Sequence, residues 1–215
     1  IYLPVLIPAA LNVNSQLKIL KKLSKYAIEN NCKVIFLSSS CFGKYNNRKL
    51  YTYSNYQQAK KKCEDYLIKN KKLGLKSVIL RVFNLYGPGQ KNGFIISDAI
   101  SRIIKHKREK LELYNHKNKR DFIFISDLIK AIYNCITYNV TNKIIEVGYG
   151  KSHSVKYIYD KIKFLLNKDI HYSYKKPYVS KLSSTKALIK INKKLFRWEP
   201  KTDIENGLKI ILKIR

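Results

Sequence analysis

A tyrosine and a lysine four residues apart, Tyr56 and Lys60, have the residue types and spacing that point most directly to chemistry. The apolar spacing of residues 54–70, with Gly74 just beyond them, predicts a helix, and residues four apart on a helix lie about 5–6 Å from each other at Cβ. A free tyrosine, with a pKa of about 10, is a poor base at neutral pH, and a neighbouring ammonium stabilises its phenolate. The pair therefore fits a general acid/base, whereas a solvated surface pair is the ordinary alternative in a chain with 17 tyrosines.

Three consecutive serines, Ser38, Ser39 and Ser40, follow an apolar run at residues 34–37 that predicts a buried strand. Side chains at the carboxyl end of a parallel strand face the crevice in which open α/β sheets bind ligands. A hydroxyl there can hydrogen-bond the same substrate oxygen that a tyrosine protonates or deprotonates. An ordinary turn is the alternative for these serines.

Strand-like and helix-like segments must position these side chains, and the two kinds of segment alternate along the chain. Helical spacing occurs at residues 14–30, 54–70, 98–107, 127–138, 155–166 and 203–214, and strand-like runs occur at 34–37, 77–82, 120–125 and 144–147. Asp127 and Asp203 have the residue type of N-caps for two of the helices. The alternation predicts an α/β fold with a mainly parallel sheet, and the shorter strands after about Gly89 predict a smaller lobe built on it.

The composition fits a folded and strongly basic domain. The 215 residues are 45% hydrophobic and 27% charged, which is enough apolar material for a core, and the net charge is +30. Nearly all of the excess is lysine, spread along a chain also rich in Asn, Ile and Tyr, so the codon usage of an AT-rich genome is the favoured explanation. Attraction of anionic substrates and nucleic-acid binding are the alternatives, and the second is disfavoured because arginine, the better base reader, is scarce.

The sequence carries no marker of secretion or of a membrane. The apolar stretch at residues 1–11 is interrupted by Pro4 and Pro8 and is too short to span a bilayer. The four cysteines lack metal-binding spacing, so we expect reduced thiols in a cytoplasmic protein, and no metal site. The chain starts at Ile1 and contains no methionine, which predicts a fragment or a processed product.

Seven segments in collinear order resemble the extended short-chain dehydrogenase/reductase family of NAD-dependent nucleotide-sugar epimerases and dehydratases, which includes the UDP-glucose 4-epimerases. They are NVN followed by LKIL (12–20), VIFLSSSCFG (34–43), YQQAK (56–60), LRVFNLYGPGQ (80–90), KRDFIFISD (119–127), IEVGYGKSHS (145–154) and LFRWEPKTDIENG (195–207). The matching family patterns include hhhhSSSxVYG, YxxxK, LRYFNVYGPGQ and xRDFVYVDD.

The resemblance implies the C-terminal part of a Rossmann-type doubly wound parallel sheet plus a smaller α/β substrate-binding lobe. Residues 1–89 are then the second half of the NAD-binding domain, which carries the YxxxK motif. Residues 90–215 are mainly the substrate-binding lobe, with a strand of the sheet near 120–150.

The resemblance also implies catalytic roles. Tyr56 is expected to be the general acid/base, and Lys60 is expected to hold the nicotinamide ribose and to lower the pKa of the tyrosine. The catalytic hydroxyl is Ser39 when counted from the strand end. It is Ser38 when counted back from Gly43, because this loop is one residue shorter than usual.

Further positions are implied for ligand binding. Ser38, Val82 and Leu85, together with Tyr56 and Lys60, are expected to bind the cofactor, which is NAD, with NADP as the alternative. Asn84 is expected near the nucleotide-sugar. Arg120 is expected to bind the diphosphate, because a guanidinium fork suits a pair of phosphate oxygens, and a surface cation is the alternative for it.

Departures from the family pattern are equally informative. The glycine-rich βαβ turn that binds the NAD pyrophosphate has no counterpart, which implies a missing half of about 60–90 residues. The segment from Gly87 to Gly93 only mimics such a turn, because Pro88 has no N–H to offer phosphate. We therefore expect the chain alone to bind NAD weakly and to aggregate. An inactive remnant and a basic nucleic-acid-binding module are the alternatives to an enzyme.

Subgroup features favour chemistry at C4 of the sugar without dehydration. Ser40 and Cys41 stand where the family's dehydratases carry an Asp-Glu pair. The Ser-Ser-Cys sequence resembles GDP-fucose synthases, but Gly89 stands where those enzymes place a histidine. Epimerisation or 4-keto reduction of a nucleotide-sugar is the expected reaction. The resemblance further implies a homodimer formed through a bundle of the helices at 14–30 and 54–70.

Overall fold

The chain folds into alternating strands and helices. The fold is described by a computed structural model, which covers residues 2–5, 13–42, 55–106, 110–176 and 184–214. The strands lie at Tyr2–Val5 (β1), Lys33–Ser39 (β2), Lys76–Val82 (β3), Asn84–Tyr86 (β4), Lys110–Leu113 (β5), Lys119–Phe124 (β6), Lys143–Val147 (β7), Ser152–Ser154 (β8) and His171–Tyr174 (β9). The helices lie at Val13–Glu29 (α1), Asn55–Asn70 (α2), Ile95–Ile104 (α3), Ile125–Thr137 (α4), Val155–Leu165 (α5), Lys190–Phe196 (α6) and Ile204–Leu212 (α7).

Four parallel strands form the main sheet, in the order β1-β2-β3-β7. β2 and β3 pair along their whole length, from Lys33 opposite Lys76 to Ser39 opposite Val82. Both strands are runs of branched and aromatic apolar residues, as expected when helices cover both faces of a parallel sheet. The predicted α/β fold with a parallel sheet is confirmed, and its register places Ser39 and Val82 side by side at one edge.

Helices cover the two faces of the main sheet. Successive strand residues point to opposite faces, so Val34 and Phe36 pack with α1 and α2 while Ile35 packs on the other side. The second face is covered by α4 together with Trp198. The resulting three layers hold the strand ends and the start of α2 in a fixed relation.

Short strands and three helices form a smaller lobe beside the main sheet. β6 pairs with β4 in parallel and with β8 in antiparallel fashion, and β5 pairs with β9 in parallel. A third apolar cluster joins these strands to α3, α5 and α7 around Tyr86. A Cβ on Gly207 would lie 2.2 Å from the Tyr86 oxygen, so glycine permits this close approach of α7. The division of the chain into two domains near residue 89 stays a prediction.

Several predicted helix boundaries are wrong. α3 begins at Ile95 instead of residue 98, and α4 begins at Ile125, two residues before the predicted cap. Asp127 is not the cap because it is buried in the first turn, where its carboxylate accepts the backbone N–H of Thr202 (2.9 Å). Asp203 does cap α7, which ends at Leu212 instead of residue 214.

The cysteines are free thiols, as predicted, with Cys41 half-buried and the others buried. Within the described ranges, no three His, Cys, Asp or Glu side chains are grouped so that they could hold a metal ion. None of the helices in those ranges combines the length and apolar character that crossing a bilayer requires.

Candidate active site

A cleft of about 610 Å³ opens at the carboxyl ends of β2 and β3. This edge is where open α/β sheets bind ligands, and the volume is in the range of small-molecule sites. It is enclosed by the serines at the end of β2, the first turns of α2, β4 and the segment leading into α3. The described residues that line it are Leu37, Ser38, Ser39, Ser40, Tyr56, Lys60, Val82, Phe83, Asn84, Leu85, Tyr86, Gln90, Gly93, Phe94, Ile95, Ile96, Phe122 and Leu128.

Tyr56, Lys60 and Ser39 come together in this cleft. Tyr56 and Lys60 lie one turn apart on α2, and the Lys60 ammonium nitrogen is 5.7 Å from the centre of the Tyr56 ring. The Tyr56 hydroxyl is hydrogen-bonded to the Ser39 side chain. Lys60 is buried and donates a 2.9 Å hydrogen bond from Nζ to the Leu37 carbonyl oxygen. The arrangement thus places the Tyr56 phenol, one helical turn from Lys60, beside the Ser39 hydroxyl at the end of β2.

Partial loss of hydration is the largest influence on the pKa of Tyr56, whose side chain remains 38% exposed. Loss of hydration raises the pKa of Tyr56 above its ordinary value of 10.0, the nearby Cys41 raises it further, and the hydrogen bond with Ser39 lowers it. Burial also lowers the pKa of Lys60. Desolvation outweighs the contribution of Ser39, and Lys60 is not among the groups that shift this pKa, so the expected lowering by Lys60 stays a prediction. Tyr56 is therefore a neutral phenol at neutral pH, which is the form that donates a proton.

The two candidate serines have different surroundings. Ser38 is buried, and its hydroxyl donates a 2.5 Å hydrogen bond to Glu64 Oε1. Ser39 is half-buried, contacts Tyr56, and accepts a 3.3 Å hydrogen bond from the backbone N–H of Cys41. Both serines border the cleft, but the hydroxyl that meets the tyrosine is that of Ser39.

The predicted ligand-binding residues divide into two groups. Val82, Leu85 and Asn84 line the cleft, and the Asn84 amide nitrogen is held by the carbonyl oxygen of Asp121 at 2.6 Å. Arg120 is not among the described residues that line it. Arg120 is half-buried on β6, where one guanidinium nitrogen donates to the Lys119 carbonyl oxygen (2.8 Å). Its role at a diphosphate stays a prediction.

Two buried carboxylates near the site were missed in the sequence. Glu64 lies one turn beyond Lys60 on α2. It follows Lys60 at the same four-residue interval that separates Lys60 from Tyr56, and this interval is a signal that could have identified it. Asp121 lies in the KRDFIFISD segment and is completely buried. Its carboxylate accepts backbone N–H groups from Tyr149 (2.8 Å), Gly150 (2.8 Å) and Ala187 (2.9 Å). Those partners are distant in sequence, so no local pattern reveals them.

Known proteins resemble this chain over nearly its whole length. A family model described as GDP-mannose 4,6 dehydratase matches residues 6–210. A candidate UDP-glucose 4-epimerase from Methanocaldococcus jannaschii is 28% identical over 94% of this chain and 68% of its own length. A dTDP-4-dehydro-6-deoxyglucose reductase from Escherichia coli is 31% identical over 89% of this chain and 64% of its own length. The chain thus spans about two thirds of these relatives.

A solved structure has the same fold. The dTDP-glucose 4,6-dehydratase of Bacillus anthracis, in complex with NAD, superposes with a TM-score of 0.78 at 21% identity. The match covers 94% of this chain and 67% of the dehydratase chain. It confirms the Rossmann-type architecture predicted from the sequence.

Proposed function

Since this chain belongs to the GDP-mannose 4,6 dehydratase family, a group of extended short-chain dehydrogenases/reductases that act on nucleotide-sugars, we propose that its cleft converts a nucleoside-diphosphate sugar. The proposed reaction is epimerisation or 4-keto reduction at C4, with NAD, or NADP as the alternative, as the hydride carrier. The observation that carries the proposal is the Tyr56–Ser39 hydrogen bond beside buried Lys60, at the carboxyl ends of two parallel strands.

Tyr56 is the proposed general acid/base. As a neutral phenol it donates its proton to the C4 oxygen of a 4-keto sugar while C4 gains a hydride and the C–O double bond becomes single. In the reverse direction the phenolate takes the C4 hydroxyl proton while C4 loses the hydride. An epimerase performs both steps, and the sugar presents its other face between them. Ser39 hydrogen-bonds the same oxygen and holds it at the phenol.

The residues around Lys60 fit a nicotinamide nucleotide. Leu37, Val82 and Leu85 give the cleft an apolar wall at the strand ends, and the Lys60 ammonium stands beside it as a hydrogen-bond donor. When bound, the nicotinamide accepts a hydride from C4 or donates one to it. Lys60 would hold the ribose hydroxyls, and Ser38, Val82 and Leu85 would border the nicotinamide. The dehydratase with the same fold contains NAD, which supports this cofactor class.

The substrate class is inferred from the relatives and from two polar residues. The names of both relatives specify nucleotide-sugars, with UDP-glucose in one and a 4-keto dTDP-sugar in the other. Asn84 is the proposed contact to the sugar. Arg120 is the proposed contact to the diphosphate, which requires its guanidinium to reach the cleft from β6.

Dehydration is disfavoured within this reaction class. Ser40 and Cys41 supply no carboxylate where the family's dehydratases carry an Asp-Glu pair. The raised pKa keeps Tyr56 protonated at neutral pH, which is the form from which the reduction of a 4-keto sugar starts. Epimerisation and reduction share this step, so the site serves either reaction.

Product analysis with two tyrosine variants tests the proposal. We expect the chain, supplied with millimolar NAD(H), to convert a UDP- or dTDP-sugar to its C4 epimer, or a 4-keto sugar to its alcohol, as followed by NMR. Tyr56→Phe should lower the rate by on the order of 10²–10⁴-fold, because it removes the proton donor. Tyr66→Phe, on the same helix but outside the cleft, should leave the rate unchanged. Equal rates for the two variants would contradict the role of Tyr56.

A further inference from the structure

Glu64 is a buried carboxylate whose oxygens are bound by groups from two neighbouring strands. Its side chain is 1% exposed and accepts a 2.5 Å hydrogen bond from Ser38 Oγ. Arg81 binds it at two points, with Nε 3.2 Å from Oε1 and Nη2 2.7 Å from Oε2. A buried carboxylate needs such partners, because without them its desolvation is costly. Ser38 and Arg81 are opposite one another in β2 and β3, so Glu64 joins α2 to both strands.

The contacts of Glu64 continue those of the catalytic candidates. Tyr56, Lys60 and Glu64 are spaced four residues apart along one face of α2. Tyr56 contacts Ser39, Glu64 contacts Ser38, and Lys60 binds the carbonyl of the residue before Ser38. Three consecutive turns of α2 are thereby fixed against three consecutive residues of β2.

A serine hydroxyl has a single proton to donate. Ser38 gives its proton to Glu64, on the α2 side of the sheet, so this hydroxyl does not donate into the cleft. Ser39 is left as the partner of Tyr56. We propose that Glu64 is a positioning residue that selects Ser39, instead of Ser38, as the hydroxyl that works with Tyr56. The inference rests on the proposed function of the cleft.

A glutamine at position 64 should undo this selection. A carboxylate presents two acceptor oxygens, whereas a glutamine amide presents one acceptor and an NH₂ donor. If the amide oxygen remains with Arg81, its NH₂ faces Ser38, which then accepts a hydrogen bond and has its own proton free. The freed Ser38 hydroxyl competes with Ser39 for the tyrosine and for the substrate oxygen.

The titration of Tyr56 reports this change without requiring turnover. In the full chain labelled with [ζ-¹³C]tyrosine, the resonance missing from Tyr56→Phe identifies Tyr56, and its pKa is followed by NMR. Because the Ser39 hydrogen bond lowers the pKa of Tyr56, Ser39→Ala should raise it. Glu64→Gln should change it as well, although no contact found among the described residues joins Glu64 to Tyr56. Ser38→Ala, which keeps the Glu64–Arg81 ion pair, should leave it unchanged.

Two further variants separate selection from general damage. Asp65→Asn removes a carboxylate from the neighbouring position of α2, where Asp65 is exposed and paired with Lys61, and should leave the Tyr56 titration unchanged. The double variant Glu64→Gln/Ser38→Ala lacks the freed hydroxyl and should return the titration of Tyr56 to that of the wild type. A purely structural role predicts that the double variant stays as altered as Glu64→Gln.

Steady-state kinetics provide a second test of the selection by Glu64. Glu64→Gln should lower kcat by about tenfold or more with little change in KM, since small displacements of reacting groups cost rate. If the wild type shows no turnover but the titrations follow the expected pattern, the proposed function fails while the selection by Glu64 stands.

Other outcomes would overturn the inference. It is wrong if Glu64→Gln titrates like Asp65→Asn, if Ser38→Ala reproduces Ser39→Ala, or if the double variant shows no recovery. Should Glu64→Gln fail to fold, Glu64→Asp replaces it, because it keeps the charge but withdraws the carboxylate from Ser38 by one methylene. Glu64→Asp must then alter the Tyr56 titration, and Glu64→Asp/Ser38→Ala must restore it.

Discussion

Lys60 combines a functional position with an energetic cost. Its side chain is buried, and loss of hydration lowers the pKa of Lys60. The folded structure therefore destabilises the charged form of this lysine relative to water. The hydrogen bond to the Leu37 carbonyl compensates for part of this cost. A cation retained under such conditions is more readily explained by a ligand-binding role than by stability.

Lys60→Met should separate stability from function. Replacing a buried ion by an apolar side chain of similar length is neutral or stabilising, so we expect the free energy of unfolding at pH 7 to be unchanged or higher by about 1 kcal/mol. Turnover should be lost. Urea titration and product assays measure the two effects, and Lys62→Met, at an exposed position of α2, is the control. Turnover in Lys60→Met equal to that of the control would remove Lys60 from the site.

At the scale of single residues, the sequence predicted which side chains come together where the spacing is local. Tyr56 and Lys60 share a face because helix geometry requires it, and the strand end brings Ser39 to them. The choice between Ser38 and Ser39 stayed open because it depends on Glu64, a partner 26 positions away from Ser38. The raised pKa of Tyr56 could not be predicted from the sequence either, because it depends on which groups surround the phenol in the folded chain.

Among the elements, β6 is tied to two other segments through the Asp121 carboxylate. Asp121 accepts N–H groups from the turn after β7 and from Ala187, and its carbonyl oxygen holds Asn84 in the cleft. Gly148 makes room for this arrangement, since a Cβ there would lie 2.6 Å from the Ala187 Cβ and 3.0 Å from the Asp121 carboxylate. The hydrogen bonds of Asp121 thus connect the main sheet, the smaller lobe and one wall of the cleft.

Asp121→Asn should give a pH-dependent loss of stability. Burial raises the pKa of Asp121 from 3.8 to about 6, so its contribution to stability is largest below about pH 4 and falls as the pH rises through 6. Asparagine does not titrate and replaces one acceptor by a donor, so the variant should be less stable at about pH 4. The difference should shrink by up to about 3 kcal/mol towards pH 7.

Urea titrations between about pH 4 and pH 7 measure this difference in unfolding free energy. Asp169→Asn, at a well-exposed position, is the control and should show no such trend. A difference that grows with pH would mean that the three N–H donors outweigh burial and hold the pKa of Asp121 below its ordinary value.

Elements with a strong local pattern were predictable, and the others were not. The amphipathic spacing of α1, α2 and α5 gave these helices within one or two residues of their observed ends. β4, β5, β8 and β9 have three or four residues each, too few for a clear period-two pattern. The pairing of Lys110 with His171 is set by the tertiary fold. The sequence wrongly suggested Asp127 as a helix cap because its hydrogen-bond partner, Thr202, is 75 positions away in the sequence.

At the scale of the whole molecule, the predicted homodimer would use the outer face of α1 and α2. Ile19 and Tyr26, seven residues apart on α1, and Ile68 on α2 are exposed apolar side chains on this pair of helices. The same helices are rich in lysine, and the net charge of the chain is +30. We therefore expect association that strengthens with ionic strength, because salt screens the repulsion between like-charged faces.

Sedimentation equilibrium tests the dimer. The wild-type chain should dimerise more tightly at high salt, and Ile19→Glu/Ile68→Glu should weaken association by placing carboxylates in the interface. Ile191→Glu, at an exposed position of α6, should have no effect. A wild-type chain that stays monomeric at high salt, or a control that weakens association equally, would contradict a dimer through α1 and α2.

In the proposed reaction, Tyr56 protonates the C4 oxygen of a nucleotide-sugar as C4 receives a hydride. Epimerases and 4-keto reductases share this step, so a 4-keto dTDP-sugar supplied with stereospecifically deuterated [4-²H]NADH tests both at once. NMR of the product should show deuterium at C4 with the wild-type chain and with Tyr66→Phe, and almost none with Tyr56→Phe. No transfer by the wild-type chain, or equal transfer by Tyr56→Phe, would contradict the account.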